Sequence, residues 1–329
     1  MVNAVKLAWS FSLLILVGVV SCVGSGEPLK GGLEDVPLEG RIVFQAYPDH
    51  KPEIVIMDAD GSNVERLTDN KYFDGMPDLS SDGRLIVFHS SRDGYIDSAG
   101  KEMMEIYVMN SDGTGQRRLT DTFPEYFGSS WGASWTPPGA AIVETIAFFS
   151  DRTRDGVSEI YFMDPDCSDQ ELVLGRDRIP LTNPSWAPKG LGIVYSVGQD
   201  DDSEIFEAST DYPRQLTDND SRDRFPDWSP DGTKIVFESN RDRKCLLGWL
   251  PIDVTCREDR DVFIMDVNGA NQINLTRNGR STNPSWSPDG RHIVFSYQGT
   301  IAVMNADGSD QTEIGPAYRG WSPSWGAKP

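Results

Sequence analysis

One phrase returns along this chain, and its recurrence limits the fold more than any other feature. Asn283-Pro284-Ser285-Trp286-Ser287-Pro288-Asp289-Gly290-Arg291-His292-Ile293-Val294-Phe295 reads as a short strand, a Pro-Asp-Gly turn and a second apolar strand. Pro288 presets φ at the first central turn position, Asp289 suits the second, and Gly290 can adopt the left-handed conformation that closes a tight hairpin. Ile293, Val294 and Phe295 are the β-branched and aromatic residues a packed strand favours. The phrase recurs at Pro226-Asp227-Trp228-Ser229-Pro230-Asp231-Gly232, followed by Ile235-Val236-Phe237. A unit repeated at a fixed structural beat implies a repeat architecture.

Each unit has four phrases. Phrase A ends in Trp-Ser-Pro-Asp-Gly or a variant, and B is an Ile-Val-Phe-like strand. Phrase C resembles Glu105-Ile106-Tyr107-Val108-Met109-Asn110-Ser111-Asp112-Gly113, and D is a short strand ending in Leu-Thr. In the third round D is read at Pro180-Leu181-Thr182. A occurs at Leu79, Trp135, Trp186, Trp228, Trp286 and Trp325, and B at residues 42, 86, 146, 193, 235 and 293. The array opens on B and ends on A. It closes without an unpaired inner strand if the last A pairs with the first B-C-D. The expected fold is all-β: a six-bladed β-propeller with four-stranded blades, closed by the C-terminal A strand. The recurring tryptophans are expected to pack between blades.

This pattern covers residues 41–329 and resembles the propeller repeats of the TolB family, and more loosely the propeller of the dipeptidyl peptidase IV family. TolB carries an α/β domain before its propeller, where a short tether is read here. The peptidases carry an α/β-hydrolase domain after theirs. The resemblance implies a binding propeller in envelope assembly.

Residues 1–21 read as a signal peptide: Lys6, an apolar run Leu7–Val20, and small residues before Cys22. Val19-Val20-Ser21-Cys22 resembles a bacterial lipobox. That resemblance implies cleavage before Cys22, acylation (palmitate included) and a lipidated tether over residues 22–40. Two or three acyl chains would hold the protein stably on a membrane. The expected location is the cell envelope, with the propeller in the periplasm or at the cell surface. A cleaved secretory signal is the alternative.

Removing Lys6 takes the formal charge from −21 to −22. So acidic a surface argues against nucleic acid, whose phosphates it repels. Cys245 and Cys256 bracket one loop and are expected to form a disulfide in an oxidising compartment, which leaves Cys167 over. No Cys/His spacing matches a zinc site, and neither metal nor cofactor is expected.

Strand alternation separates two faces. The A–B and C–D turns are short and alike, whereas the D–A and B–C loops are long and differ in each round. Variable loops on a rigid frame are where binding usually lives. The D–A loops offer Tyr72, Phe73, Asp74, Tyr126, Phe127, Trp131, Arg222, Arg224, Phe225, Tyr318 and Arg319. The B–C loops offer Arg92, Arg152, Arg154, Arg241 and Trp249. Aromatics and arginines are common interface anchors. Arg92, Arg152 and Arg241, each near an Asp, also fit a repeat-level ion pair. The three histidines are scattered, and no spacing singles out a catalytic carboxylate pair.

The reading is a monomeric, lipid-anchored, non-enzymatic propeller that engages a protein or peptide in the envelope through its long-loop face. The alternative is an enzyme acting on a glycan or peptide in the central funnel.

Overall fold

The computed structural model describes residues 38–49, 51–80, 82–97, 100–122, 128–137, 144–153, 156–175, 178–199, 202–209, 212–242, 245–247, 254–256, 259–316 and 319–329. They form six four-stranded antiparallel sheets in a ring, each ordered A-B-C-D. Blades 2 to 6 open on the A strands Asp74–Leu79, Ser130–Trp135, Leu181–Trp186, Asp223–Trp228 and Ser281–Trp286. Neighbouring A strands touch all the way round, so A is the inner wall and the short D strands form the rim.

The Ile-Val-Phe runs are apolar without alternation because blades pack on both faces of each sheet. Ile42, Val43 and Phe44 are all fully buried. Val43, Ile54 and Ile56 of blade 1 meet Leu79, Ile86, Phe88 and Tyr107 of blade 2, so the core consists of layers between blades. The recurring tryptophans lie in these layers, all under a tenth exposed.

Blade 1 takes its A strand, Gly320–Gly326, from the far end of the chain, beside Arg41–Ala46. Ile42 lies opposite Trp325 and Val43 opposite Ser324. The Trp325 indole N–H donates to the Glu39 carbonyl at 2.8 Å. The expected ring closure is therefore present.

Each A strand is bulged at its third residue: Met76, Gly132, Asn183, Phe225, Asn283 or Ser322, all with φ between 45° and 53°. The extra residue bends the strand and turns its next positions toward the axis. For Met76 and Phe225, whose side chains disfavour this conformation, the six-fold repetition shows that the ring imposes it.

The structure corrects one assignment. In the third round D is Glu171–Leu174, and Leu181-Thr182 instead begins the A strand of blade 4. In blades 1, 2, 4 and 5 Leu-Thr directly follows the D strand, but in blade 3 Leu174-Gly175 stands in its place, so the next Leu-Thr along the chain belongs to the following blade. Within the blade 5 insertion, Cys245–Leu247 pairs with Val254–Cys256, with residues 245 and 256 opposite.

Trp325→Ala is expected to cost about 3–5 kcal/mol in urea unfolding, since it removes a buried indole from the closing layer. A loss below about 1 kcal/mol would show that the closing strand is not needed to hold the ring.

Candidate functional site

Antiparallel alternation places the A–B and C–D turns on one face of the ring and the B–C and D–A loops on the other. On the first face, four C–D turns share one bonding pattern. Asp60 Oδ1 accepts from the amide and hydroxyl of Ser62, as Asp112 does from Thr114, Asp166 from Ser168 and Asp307 from Ser309. These aspartates close their own turns.

On the second face the arginines divide. Arg92 lies over Phe88 and Tyr107, 5.1 and 4.7 Å from their ring centres. Its Nε donates to Ser90 Oγ at 2.9 Å, one Nη to Asp74 at 2.9 Å, and the other to Gln116. Arg152 repeats this clasp with Phe148, Tyr161, Ser150, Gln170 and Ser130. Arg241 repeats it with Phe237, Phe263, Ser239, Gln272 and Asp223. Arg92 and Arg241 are thus held by carboxylates within their blades, the ion-pair alternative the sequence left open, whereas Arg152 meets the Ser130 hydroxyl where they meet Asp.

The carboxyl that opens a C strand is equally local. Glu53 accepts from Thr68 Oγ1 at 2.6 Å and from the Asn70 amide at 2.9 Å. Glu105 with Thr120 and Thr122, and Asp261 with Thr276 and Asn278, do the same. In blade 4 Glu204 holds Asn219. Burial pushes its pKa up to about 7, against the opposing pull of its Thr217 and Asn219 hydrogen bonds.

Tyr72 remains at the rim, half-buried under Lys71. Phe73 stacks on His89 at 5.3 Å. Burial pushes the His89 imidazole pKa down to about 3, so it is neutral. Trp131 stands at the funnel mouth, stacked on Phe149 at 5.6 Å with Lys101 over it. The Arg222 amide donates to Asn240, and Arg224 Nε donates to Ser203 Oγ. Cys22, Tyr126, Phe127, Arg154, Trp249 and Tyr318, and the side chains of Cys245 and Cys256, lie outside the described residues.

Two cavities open from the funnel. The first is the axial channel, about 120 Å³, lined by the bulge residue and its two successors in every blade. Asp78 and Asp227 stand there three blades apart, so they face each other across the axis. The Asp78 carboxylate accepts from Ser324 Oγ of blade 1 at 2.6 Å and from the Trp135 amide of blade 3 at 2.8 Å. The Asp227 carboxylate accepts from Ser185 Oγ of blade 4 and the Trp286 amide of blade 6, both at 2.8 Å. Desolvation is the main cause that raises the Asp78 pKa, to about 6, and the charge of Asp227 adds to it. Asp227 is raised as well, again chiefly by burial. Sequence reading missed both, because the other blades carry Ser at this position and only the ring sets the two opposite.

The second cavity, about 620 Å³, lies at the rim around blade 6 and is reached by Arg260, Arg280, Arg319 and Trp321. Asn283 lines both cavities, so the rim cavity opens toward the channel mouth. Of its residues only Arg319 was singled out in the sequence. Among the described residues no group of three or more His, Cys, Asp or Glu could hold a metal, and no helix is long and apolar enough to cross a membrane.

The closed ring and its repeat define a six-bladed propeller of TolB-like type. Over 296 residues the chain is 29% identical to the Tol-Pal system protein TolB of Francisella tularensis subsp. mediasiatica, covering 84% of this chain and 60% of that protein. It is also 29% identical over 197 residues to an uncharacterized protein of Agrobacterium fabrum, covering 58% of this chain and 60% of that one. The chain thus spans about 60% of the length of these relatives. Among solved structures, TolB from Acinetobacter baumannii superposes with a TM-score of 0.64 at 20% identity, over 88% of this chain and 67% of that one. No family model matches.

Two outcomes are expected. Arg92→Ala and Arg241→Ala strand the buried carboxylates of Asp74 and Asp223 and should each cost about 3 kcal/mol in denaturant unfolding. Arg152→Ala faces the neutral Ser130 and should cost about 1 kcal/mol; equal losses at all three would refute the clasp. Second, because the folded pKa of Asp78 is raised, its contribution to stability is full below about pH 4 and lost as pH rises toward 6. The wild type should therefore gain on the order of 1 kcal/mol relative to Asp78→Asn between pH 7 and pH 4. Parallel pH–stability curves would contradict this.

Proposed function

We propose that this protein is an envelope-located binding propeller that engages a protein partner through its long-loop face, with a lipid at Cys22 as its membrane anchor. The observation that carries the reading is the contrast between the faces. On one, four C–D turns are closed by the same internal aspartate bonding, and the other carries loops of unlike length and composition beside a rim cavity of about 620 Å³. Similarity over most of the chain to a Tol-Pal system protein supports a place in envelope protein assembly.

Enzymatic action is the weaker reading. The paired axial carboxylates sit in a channel of about 120 Å³, well under the roughly 300 Å³ at which small-molecule sites begin. Each is already held by a hydroxyl and an amide from adjacent blades.

Photo-crosslinking tests the reading in a Cys167→Ser background. A maleimide-benzophenone probe is attached at Tyr72→Cys on the long-loop face or at Asp307→Cys on the tight-turn face. With native envelope extract, a discrete adduct is expected from the first position and none from the second. Adducts only from Asp307→Cys, or none from either, would overturn it.

A further inference from the structure

The rim cavity at blade 6 exists because two things that fill the corresponding space elsewhere are missing. In blades 2, 3 and 5 the B–C connection is a long loop, whereas in blades 4 and 6 two residues separate the B and C strands, in blade 6 the turn Gln298-Gly299 between Tyr297 and Thr300. Beneath that turn, the B-strand residue paired with the second A-strand residue is Gln45, His89, Phe149 or Glu238 in four blades. In blade 6 it is Ser296, opposite Thr282. Blade 4 also has a serine there, Ser196, and beside it Arg224 reaches across to Ser203. In blade 6 no side chain of the described residues makes the corresponding contact, and a notch lined by Thr282, Ser296 and Trp321 remains.

The notch is built for an anion. The turn is braced on both sides by backbone: Gln298 N donates to the Arg280 carbonyl at 3.2 Å, and Gly320 N donates to the Gly299 carbonyl at 2.7 Å. Arg280 and Arg319 therefore flank it. Both side chains are exposed, and among the described residues no carboxylate lies within ion-pair distance of either. Among the described residues the Arg280 guanidinium donates to the Gln298 amide oxygen, at 2.9 Å. Arg260 behind them pairs with the buried Glu238 at 3.3 Å. Asp259 at the lip is the one carboxylate among the lining residues. Ser296 is among the lining residues and 1% exposed, and its hydroxyl, like that of Ser196 at the same position in blade 4, has no partner among the described residues. Trp321 supplies an apolar wall, set edge-on against Tyr47 at 5.1 Å. Planar forked donors, a hydroxyl and an indole fit a carboxylate next to an apolar side chain.

We propose that this notch seats a carboxylate of an extended acidic peptide segment of the partner, with Arg280 and Arg319 holding the oxygens, Ser296 donating from below and Trp321 packing on the neighbouring side chain. This deepens the binding reading and rests on it for the source of the peptide.

The test titrates the full chain, labelled with 5-fluorotryptophan, with three probes. These are a capped Gly-Leu-Asp-Glu-Leu-Gly peptide, its Asn/Gln counterpart and inorganic phosphate. Trp321→Phe assigns the Trp321 resonance. The acidic peptide is expected to move that resonance and to bind about tenfold or more tighter than the amide peptide. Arg280→Gln and Arg319→Gln, both exposed, should each remove about tenfold from the acidic peptide and leave the amide peptide unchanged. Equal binding of the two peptides, an unmoved Trp321 resonance, or loss-free arginine variants would overturn the proposal. Phosphate binding without peptide binding would overturn the peptide assignment. A crosslinked partner retained undiminished by Arg319→Gln would sink the notch alone, whereas no captured partner would sink the binding reading alone.

Discussion

Nothing in this molecule is stable one blade at a time. A four-stranded sheet with both faces apolar has no inside of its own, and its burial comes from the blades on either side. Closure of the ring is therefore the constraint on which the rest depends. Trp325 opposite Ile42 turns an open stack with two raw faces into a cycle with none. The axial carboxylates fasten that cycle in two arcs. Asp78 ties blade 2 to blades 1 and 3, and Asp227 ties blade 5 to blades 4 and 6. The two junctions between arcs lack an axial carboxylate and combine aromatic packing with a hydrogen bond, from the Trp186 indole to the Ser134 carbonyl and from the Gly320 amide to the Gly299 carbonyl. Phe162 meets Trp186 at 4.5 Å between blades 3 and 4, and His292 stacks on Trp325 at 6.1 Å between blades 6 and 1.

Buried charge in this fold is largely frame. Fifty-one acidic side chains in one chain invite a search for acid–base chemistry. Yet the buried members resolve into repeated devices: the carboxyl opening a C strand pins the following D–A loop, and the Asp opening an A strand receives the clasp arginine. A device repeated in several blades serves the blade, because a single ligand cannot engage three copies arranged round a ring. Function is then to be sought where the repetition breaks, at loops of unequal length and at positions whose residue differs from its counterparts.

That distinction explains what could be read from residues alone. Blade number and closure were legible because turn chemistry is local: Pro-Asp-Gly needs no tertiary context to close a hairpin, so counting hairpins counts blades. The third D strand was misplaced because Leu-Thr serves equally well after a D strand and at the head of an A strand. Arg92, Arg152 and Arg241 stayed ambiguous, since an Arg beside an Asp suits both an internal clasp and an exposed anchor, and only the aromatic pair beneath decides. Asp78 and Asp227 are 149 residues apart and become a pair only through the ring. The notch was hardest to see because it is made by absence, although Tyr297-Gln298-Gly299-Thr300 showed the missing loop.

An acidic segment docking on a chain of formal charge −21 appears at first to work against electrostatics. The two effects act over different ranges. Screening at physiological salt reduces exposed-charge interactions beyond about 8 Å, so the distant carboxylates contribute mainly a slower encounter. Inside the notch, two guanidinium groups with no carboxylate partner among the described residues would lie at contact distance from a bound carboxylate, where screening is weakest. A globally acidic surface around a local cationic seat rejects anions that cannot reach the seat and retains those that fit. Selectivity then depends on shape at the rim, which is the part of a propeller that varies while the frame stays fixed.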